Sequence, residues 1–347
     1  MLRHAVVLVV LVLTAGCGGD ENEAARQTTA PPERPEPVLE LPYDLAVDSD
    51  GEIYVADGLL HQVLRVDPAT GESEVVAGTG QAGSAGDGGP ASEATIQEPV
   101  GIALAPDGSL FIADFTANRI RRVGPDGTID TVAGTGREGW SGDGGPATRA
   151  DLGLPAHVAL DPTGRYIAVP TLGNYIRRID LETGRIQTVA GDGAQRTTGE
   201  GGPAVEASVE SPHGAAYDAD GNLYLPDGQA LIRRVLADSG TIETVVEGSE
   251  AGSFKVLFAP DGTLYLISGD PSGGQIKRLG EDGSIEIVVG TGALGASEDG
   301  MRATEIGILP SDIEFAPDGA LLFSQSQPEP AVRRVDPETG VVTTILR

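Results

Sequence analysis

Between Pro99 and Gly136 short apolar runs alternate with polar, turn-rich breaks, in the order PVGIALAPDGSLFIADFTANRIRRVGPDGTIDTVAGTG. Ile102–Leu104 ends at the turn from Ala105 to Gly108, where glycine supplies a positive φ without steric cost. Leu110–Ala113 follows and stops at Asp114. The polar loop Phe115–Asn118 leads into Ile120–Val123, the turn Pro125–Gly127 comes next, and Ile129–Ala133 closes at Gly134. Four strand-length runs joined by tight turns predict a four-stranded antiparallel meander, with strands a to d in chain order.

The unit recurs six times. Pro42, Pro99, Pro155, Pro212, Ser253 and Pro310 open successive copies, and Gly51, Gly108, Gly164, Gly221, Gly262 and Gly319 mark the first turn nine residues on. The copies are spaced 57, 56, 57, 41 and 57 residues apart. One meander cannot bury both of its faces alone, so a long period with four strands per unit predicts a β-propeller. The expected fold is all-β, a six-bladed propeller of four-stranded antiparallel blades over residues 38–347. Ring closure leaves no free sheet edge. Val38–Leu41 is apolar enough to add a strand to a blade edge, but each blade already has its four strands in chain order, which leaves the mode of ring closure open.

The unit P-x-G-[IV]-A-x-x-x-x-G-x-[IL]-[YF]-[VI]-A-D-x-x-x-N-x-[RI]-I resembles the NHL repeat, and Pro99–Val123 matches it well. The resemblance extends over residues 42–347. Blades 1, 2 and 4 keep an aspartate at the end of strand b (Asp57, Asp114, Asp227), with the expected task of capping the turn that follows. Pro170, Ser268 and Gln325 align there in blades 3, 5 and 6. Such scaffolds host many functions, so the resemblance implies a fold and leaves activity open.

Residues 1–16 stand apart from the repeats. Arg3 and His4 precede the apolar run Ala5–Leu13, which is too short to span a bilayer as a mature helix. The run ends in Leu-Thr-Ala-Gly-Cys at 13–17, which resembles a bacterial lipobox and implies lipidation of Cys17. Cys17 is the only cysteine, so an intrachain disulfide is excluded. Residues 17–37 are acidic and proline-rich and predict a tether of at most about 70 Å between membrane and propeller. These features place the chain outside the cytoplasm, lipid-anchored, as a monomer.

Fifty glycines and twenty-four prolines are the turn punctuation of this repeat. A net charge of −29 repels phosphate backbones and excludes nucleic acid as a partner. Inserts follow blades 1, 2 and 3: GDGGPA at 86–91 and 142–147, and GEGGPA at 199–204, each entering an alanine-rich turn. Blade 4 has none, and blade 5 carries a worn copy, Ser297–Ile308. Placed after strand d, the inserts are expected on the face of the b–c loops, as a binding rim with a low side or as plugs between blades. Trp140, the only tryptophan, lies in one of them as a plug or a contact residue. Basic doublets recur in strand c, at Arg121–Arg122, Arg177–Arg178, Arg233–Arg234, Lys277–Arg278 and Arg333–Arg334. Neighbouring strand residues face opposite ways, so these predict ion pairs between blades instead of one basic patch.

The glycine-rich segment 134–139 recurs with the blades and lacks a following helix, which excludes a phosphate loop. Asp48–Gly51 and Asp218–Gly221 lack the closing glutamate of a calcium loop. With no cysteine in the repeats, three histidines remain there: His61 in a b–c loop, and His157 and His213 at strand-a entries.

Strand a is the innermost strand of a blade, so its first residues surround the central channel. The second and third repeat positions are Tyr43–Asp44, Val100–Gly101, Ala156–His157, His213–Gly214, Phe254–Lys255 and Ser311–Asp312. The repeat favours glycine at the third position, and Asp44, His157, Lys255 and Asp312 break that rule with ionisable groups. Tyr43, Asp44, His157, His213, Lys255 and Asp312 are therefore the candidate ligand-binding residues. The zinc-dependent amidating lyases resemble a propeller of this kind, and His213, in Pro-His-Gly, resembles their ligand position. That resemblance implies a divalent ion, zinc or calcium, held by His213, Asp44 and Asp312. His157 is one residue out of register with His213. Two functions follow: a scaffold that binds an envelope protein, peptide or glycan, or a metal-dependent lyase or hydrolase at the channel mouth.

Overall fold

A computed structural model describes residues 39–228, 231–248 and 253–347. The leader 1–16, Cys17 and the tether 17–37 lie outside the described residues. The rest forms six antiparallel sheets, each with four strands paired in chain order; that of blade 2 gains a fifth, two-residue strand from the preceding insert. Blade 1 comprises Pro42–Val47, Ile53–Asp57, Gln62–Val66 and Ser73–Ala77. Blade 2 comprises Pro99–Leu104, Leu110–Asp114, Arg119–Val123 and Thr128–Ala133. In blade 3 the strands are Ala159–Leu160, Tyr166–Thr171, Tyr175–Asp180 and Arg185–Ala190. Blade 4 contains Ala216–Tyr217, Leu223–Asp227, Leu231–Val235 and Ile242–Glu247. Blade 5 contains Lys255–Phe258, Leu264–Asp270, Gly273–Leu279 and Ile285–Val289. Leu309–Phe315, Leu321–Gln327, Ala331–Val335 and Val342–Leu346 complete blade 6. All six first-turn glycines have positive φ, between 71° and 90°.

The core lies between blades. Ile102, Leu110 and Ile112 of blade 2 pack on Ala46, Ala56 and Val63 of blade 1, and the pattern repeats around the ring. Blades 6 and 1 meet through Leu322, Val332 and Leu346 against Leu45, Ile53, Val55 and Leu64, with Leu39 sealing the seam. Among the described residues no strand is exchanged between blades 6 and 1.

Strand pairing corrects one alignment. Asp57 and Asp114 oppose Pro42 and Pro99, and in blade 3 it is Thr171, not Pro170, that opposes Pro155. An extra residue in the first turn of blade 3 shifts its second strand by one.

The inserts are structural. Each leaves strand d of one blade and reaches strand d of the next: Gly89–Pro90 pairs with Thr128–Ile129, and Pro146, Pro203 and Arg302 bridge to Arg185, Thr241 and Val341. A single 3₁₀ turn then brings the chain back, at Ala91–Glu93, Ala147–Arg149, Ala204–Glu206 and Ala303–Glu305. Ala91, Ala94 and Ile96 from the first insert are buried between blades 1 and 2. The rim reading is thus overturned, because the apolar side of each insert belongs to the crevice between blades. Trp140 is not a plug: it is 59% exposed and stacks on Tyr175 at 5.3 Å.

The acid of each insert meets the first arginine of the next strand c. Arg121 Nη2 donates to Asp87 at 2.6 Å, Arg177 Nη2 to Asp143 at 2.7 Å and Arg333 Nη2 to Asp299 at 3.1 Å; Arg233 departs from this, its Nη1 pairing with Asp227 of its own blade at 2.8 Å and its Nη2 lying 3.8 Å from Glu200. These arginines are the largest fully buried side chains among the described residues. Where no insert arrives the arginine is absent: blade 1 has Leu64 in that place and blade 5 has Lys277. The second arginines face outward and pair within their own blade, as Arg122 does with Asp107 and Arg334 with Asp318.

Desolvating a guanidinium costs several kcal/mol, so loss of its partner is more damaging than loss of the pair. Asp143→Ala is expected to destabilise the chain by about 2 kcal/mol, less than for a wholly buried pair because Asp143 is half in water. Adding Arg177→Leu, the arrangement of blade 1, should recover part of that loss. Urea unfolding midpoints measure both, and a neutral Asp143→Ala would refute the latch.

Candidate functional site

The strand-a entries of blades 1, 2 and 6 are bulged. The register slips between Pro42 and Asp44, between Pro99 and Gly101, and between Pro310 and Asp312. A bulge re-aims side chains, and here the second repeat position is turned to the channel mouth. Tyr43, Val100, Ala156, His213, Phe254 and Ser311, one from each blade, all line a pocket of about 400 Å³. Phe115, Leu172, Leu309 and Pro310 complete its apolar wall, and Glu98 and Asp270 stand at its edge.

The third repeat position forms a second ring one step deeper. Asp44, His157, Lys255 and Asp312 line a channel pocket of about 230 Å³, and all four are buried. Lys255 Nζ donates to Asp44 Oδ1 at 2.5 Å and lies 2.7 Å from Asp312 Oδ1. The acids also tie neighbouring blades: Asp44 Oδ2 accepts from Ile102 N at 2.8 Å, and Asp312 Oδ2 accepts from Leu45 N at 2.8 Å. His157 Nε2 sits 3.6 Å from Asp44 Oδ2. Glycine holds the two remaining places because a Cβ on Gly101 would lie 2.8 Å from His157 Cα, and one on Gly214 would lie 2.7 Å from Lys255 Cγ. The ionisable ring and its glycines are one packing solution.

Burial, then repulsion from Asp312, holds the Asp44 carboxyl well above its ordinary range, against the pull of Lys255. Burial, then Lys255, pushes His157 well below the usual histidine range and keeps it neutral. Burial opposes the charge on Lys255, but Asp312 and Asp44 together hold its pKa above the ordinary value.

Glu314 was not among the candidates. It lies two residues beyond Asp312 on the innermost strand, where the other blades have Ala46, Ala103, Ala159, Ala216 and Leu257, and it faces the channel with them. That lone acid in a row of apolar residues was the available signal. Burial, then Asp312, pushes its carboxyl up to about 8.

The proposed ion-binding set does not assemble. Among the described residues no group of three or more His, Cys, Asp or Glu side chains is placed to hold a metal ion. His213 belongs to the mouth ring, one layer away from Asp44 and Asp312, and the Lys255 ammonium already stands between the two carboxylates. The one-residue offset separates His213 from His157 in the same way.

Other singled-out residues serve the frame. Asp57 caps its following turn through Leu59 N and Leu60 N, and it also accepts from Glu40 N and Leu41 N. Asp114 clamps the incoming segment through Gln97 N and Glu98 N, and Asp227 does so through Glu210 N. His61 takes a left-handed conformation, as Asn118 and Asn174 do at the matching loop positions, and its Nδ1 meets Gln97 O at 2.6 Å.

Sequence and structure comparisons agree with this frame. A family model described as the Teneurin NHL domain matches residues 42–141. Mouse Teneurin-3 is 33% identical over 172 residues, 46% of this chain and 6% of that protein. Drosophila melanogaster Teneurin-m is 26% identical over 278 residues, covering 69% of this chain and 9% of that protein. The chain therefore spans less than a tenth of these relatives. Among solved structures, virginiamycin B lyase from Staphylococcus aureus superposes with a TM-score of 0.53 at 15% identity, covering 88% of this chain and 84% of the lyase. A Bacteroides thetaiotaomicron protein of unknown function gives 0.56 at 16% identity, covering 85% and 69%. At such identities the likeness is one of fold. The chain is thus a six-bladed β-propeller whose residues 42–141 match an NHL family model.

Two outcomes test the ionic ring. Lys255→Met leaves two buried carboxyls facing each other without a counter-charge, and it should cost about 3–5 kcal/mol in urea unfolding; a cost under about 1 kcal/mol would be far too small for a buried charge. Glu314 titrates near 4.5 when unfolded and about 8 when folded, so the folded chain binds the extra proton between these values. Its stabilising contribution is complete below about 4.5 and is lost as pH rises through about 8. Glu314→Gln should therefore lose less stability than the parent chain on going from acid to alkaline pH, and equal losses would exclude the assignment.

Proposed function

We propose that the chain is a binding scaffold that takes its ligand, a protein, peptide or glycan, at the mouth of the central channel. One observation carries this reading: Lys255, Asp44 and Asp312 beneath the mouth are engaged with one another, so the mouth offers a ring of six second-position side chains, one from each blade, and their apolar surround. An apolar pocket rimmed by a few polar groups suits recognition. The NHL family is consistent with an interaction domain, and the −29 charge argues against nucleic acid. The lyase title of one structural neighbour carries no reaction to this chain, because at 15% identity the likeness is one of fold alone.

We further propose that Cys17 anchors the chain to a membrane outside the cytoplasm, the propeller acting as a monomer at the end of its tether. The apolar run Ala5–Leu13 and the small residues before Cys17 support this. Cys17→Ser is expected to move the chain from the detergent-extracted membrane fraction to the soluble envelope fraction; retention in the membrane would refute the anchor.

The scaffold reading is tested by capture from envelope extracts with the purified full chain. Tyr43→Ala and Phe254→Ala each remove an aromatic contact worth about 1.5–3 kcal/mol, and binding of a true mouth ligand should fall about tenfold or more in each. Shortening the insert at 86–91 should leave affinity unchanged while lowering stability. Affinity indifferent to both mouth variants would overturn the assignment.

A further inference from the structure

A second pocket, of about 630 Å³, opens between blades 4 and 5. It shares His213, Phe254, Gly269 and Asp270 with the mouth, so the two form one continuous groove from the channel axis to the perimeter. The opening falls where the chain passes from blade 4 to blade 5 without an insert. At four other junctions the insert's alanine-rich turn fills the crevice. The missing insert thus gives the groove its direction.

Its two ends differ chemically. The mouth end is walled by Tyr43, Phe115, Leu172, Phe254 and Leu309. The outer end carries Glu210 and Asp270 beside Gln195, Gln275 and Ser211, with Glu98 across the mouth. The lysines nearby are withdrawn from solvent: Lys277 is 5% exposed, and Lys255 lies between Asp44 and Asp312. An entering ligand therefore meets carboxylates on a protein of net charge −29, whose field draws in cations.

Resting on the mouth as the ligand site, we propose that the groove takes an extended cationic peptide, its apolar end in the channel mouth and its basic residues between blades 4 and 5. An extended chain advances about 3.3 Å per residue, so a few residues reach from mouth to perimeter. The amide and hydroxyl side chains along the way can meet its backbone, while Glu210 and Asp270 select its charge.

The test uses the full chain and three fluorescent probes: a peptide with phenylalanine and leucine followed by four lysines, the same peptide with four glutamates, and a hexamer of N-acetylglucosamine. Fluorescence polarisation should show the lysine peptide binding about tenfold tighter than the glutamate peptide, as two surface ion pairs allow. The gap should narrow with added salt. The double variant Glu210→Gln, Asp270→Asn should close it, whereas Phe254→Ala should weaken both peptides alike. Equal binding of the two peptides, a gap untouched by the double variant, or tighter binding of the sugar would each overturn the proposal. If Phe254→Ala still weakens whichever probe binds, the mouth survives as a ligand site. If no probe binds and the mouth variants leave captured ligands unaffected, both readings fall.

Discussion

A buried guanidinium is the constraint on which the perimeter of this propeller depends. A four-stranded blade covers one face of its neighbour and needs cover in turn, and the crevice between two twisted sheets widens toward the outside. At four junctions an insert fills that wedge. Arg121, Arg177 and Arg333 fix it there, since an arginine removed from water must find an acid and carbonyls within reach, while Arg233 pairs with Asp227 of its own blade and holds the insert through Ser208 O. Arg177 takes Asp143 together with the carbonyls of Asp151 and Ser141, so one side chain pins both limbs of the insert. The arrangement is reciprocal: junctions without an insert carry Leu64 or Lys277 in place of the arginine.

A second desolvated cluster organises the axis. Asp312 binds the backbone of blade 1, Asp44 binds that of blade 2, and Lys255 of blade 5 joins both across the channel. Charges that looked like a reactive set from their spacing are counter-ions to one another. The side chains left facing the mouth are those of the second repeat position, one layer outward, all of which line its pocket. The two layers explain why ionisable groups at adjacent positions of one repeat have different fates: one is clamped in the channel and the other faces solvent.

Much of the fold was legible because its determinants are local. Glycine turns at a fixed offset and apolar runs of strand length recur often enough to set blade number and strand order. The single misplaced residue, Pro170 for Thr171, arose where one extra turn residue breaks the period. The candidate site was legible in part. The entries to strand a were identified as the channel lining, and Asp44, His157, Lys255 and Asp312 do converge there. Tyr43 and His213 fell in the neighbouring layer, because the backbone geometry at the strand entries, bulged in blades 1, 2 and 6, cannot be read from residue types alone. Glu314 was overlooked although it breaks a row of alanines.

By itself, the sequence determined the propeller, the number and order of its strands, and the places where ionisable residues would ring an axis, since each follows from periodicity and turn stereochemistry. Only the tertiary structure decided which of those groups would neutralise each other. That depends on distances across the channel between residues up to 268 positions apart, Asp44 and Asp312 at the extremes. It also decided that the inserts seal crevices instead of forming a rim, because their acids find partners on the following blade. The groove between blades 4 and 5 is the residue of that rule, opening where the chain supplies no insert to close it.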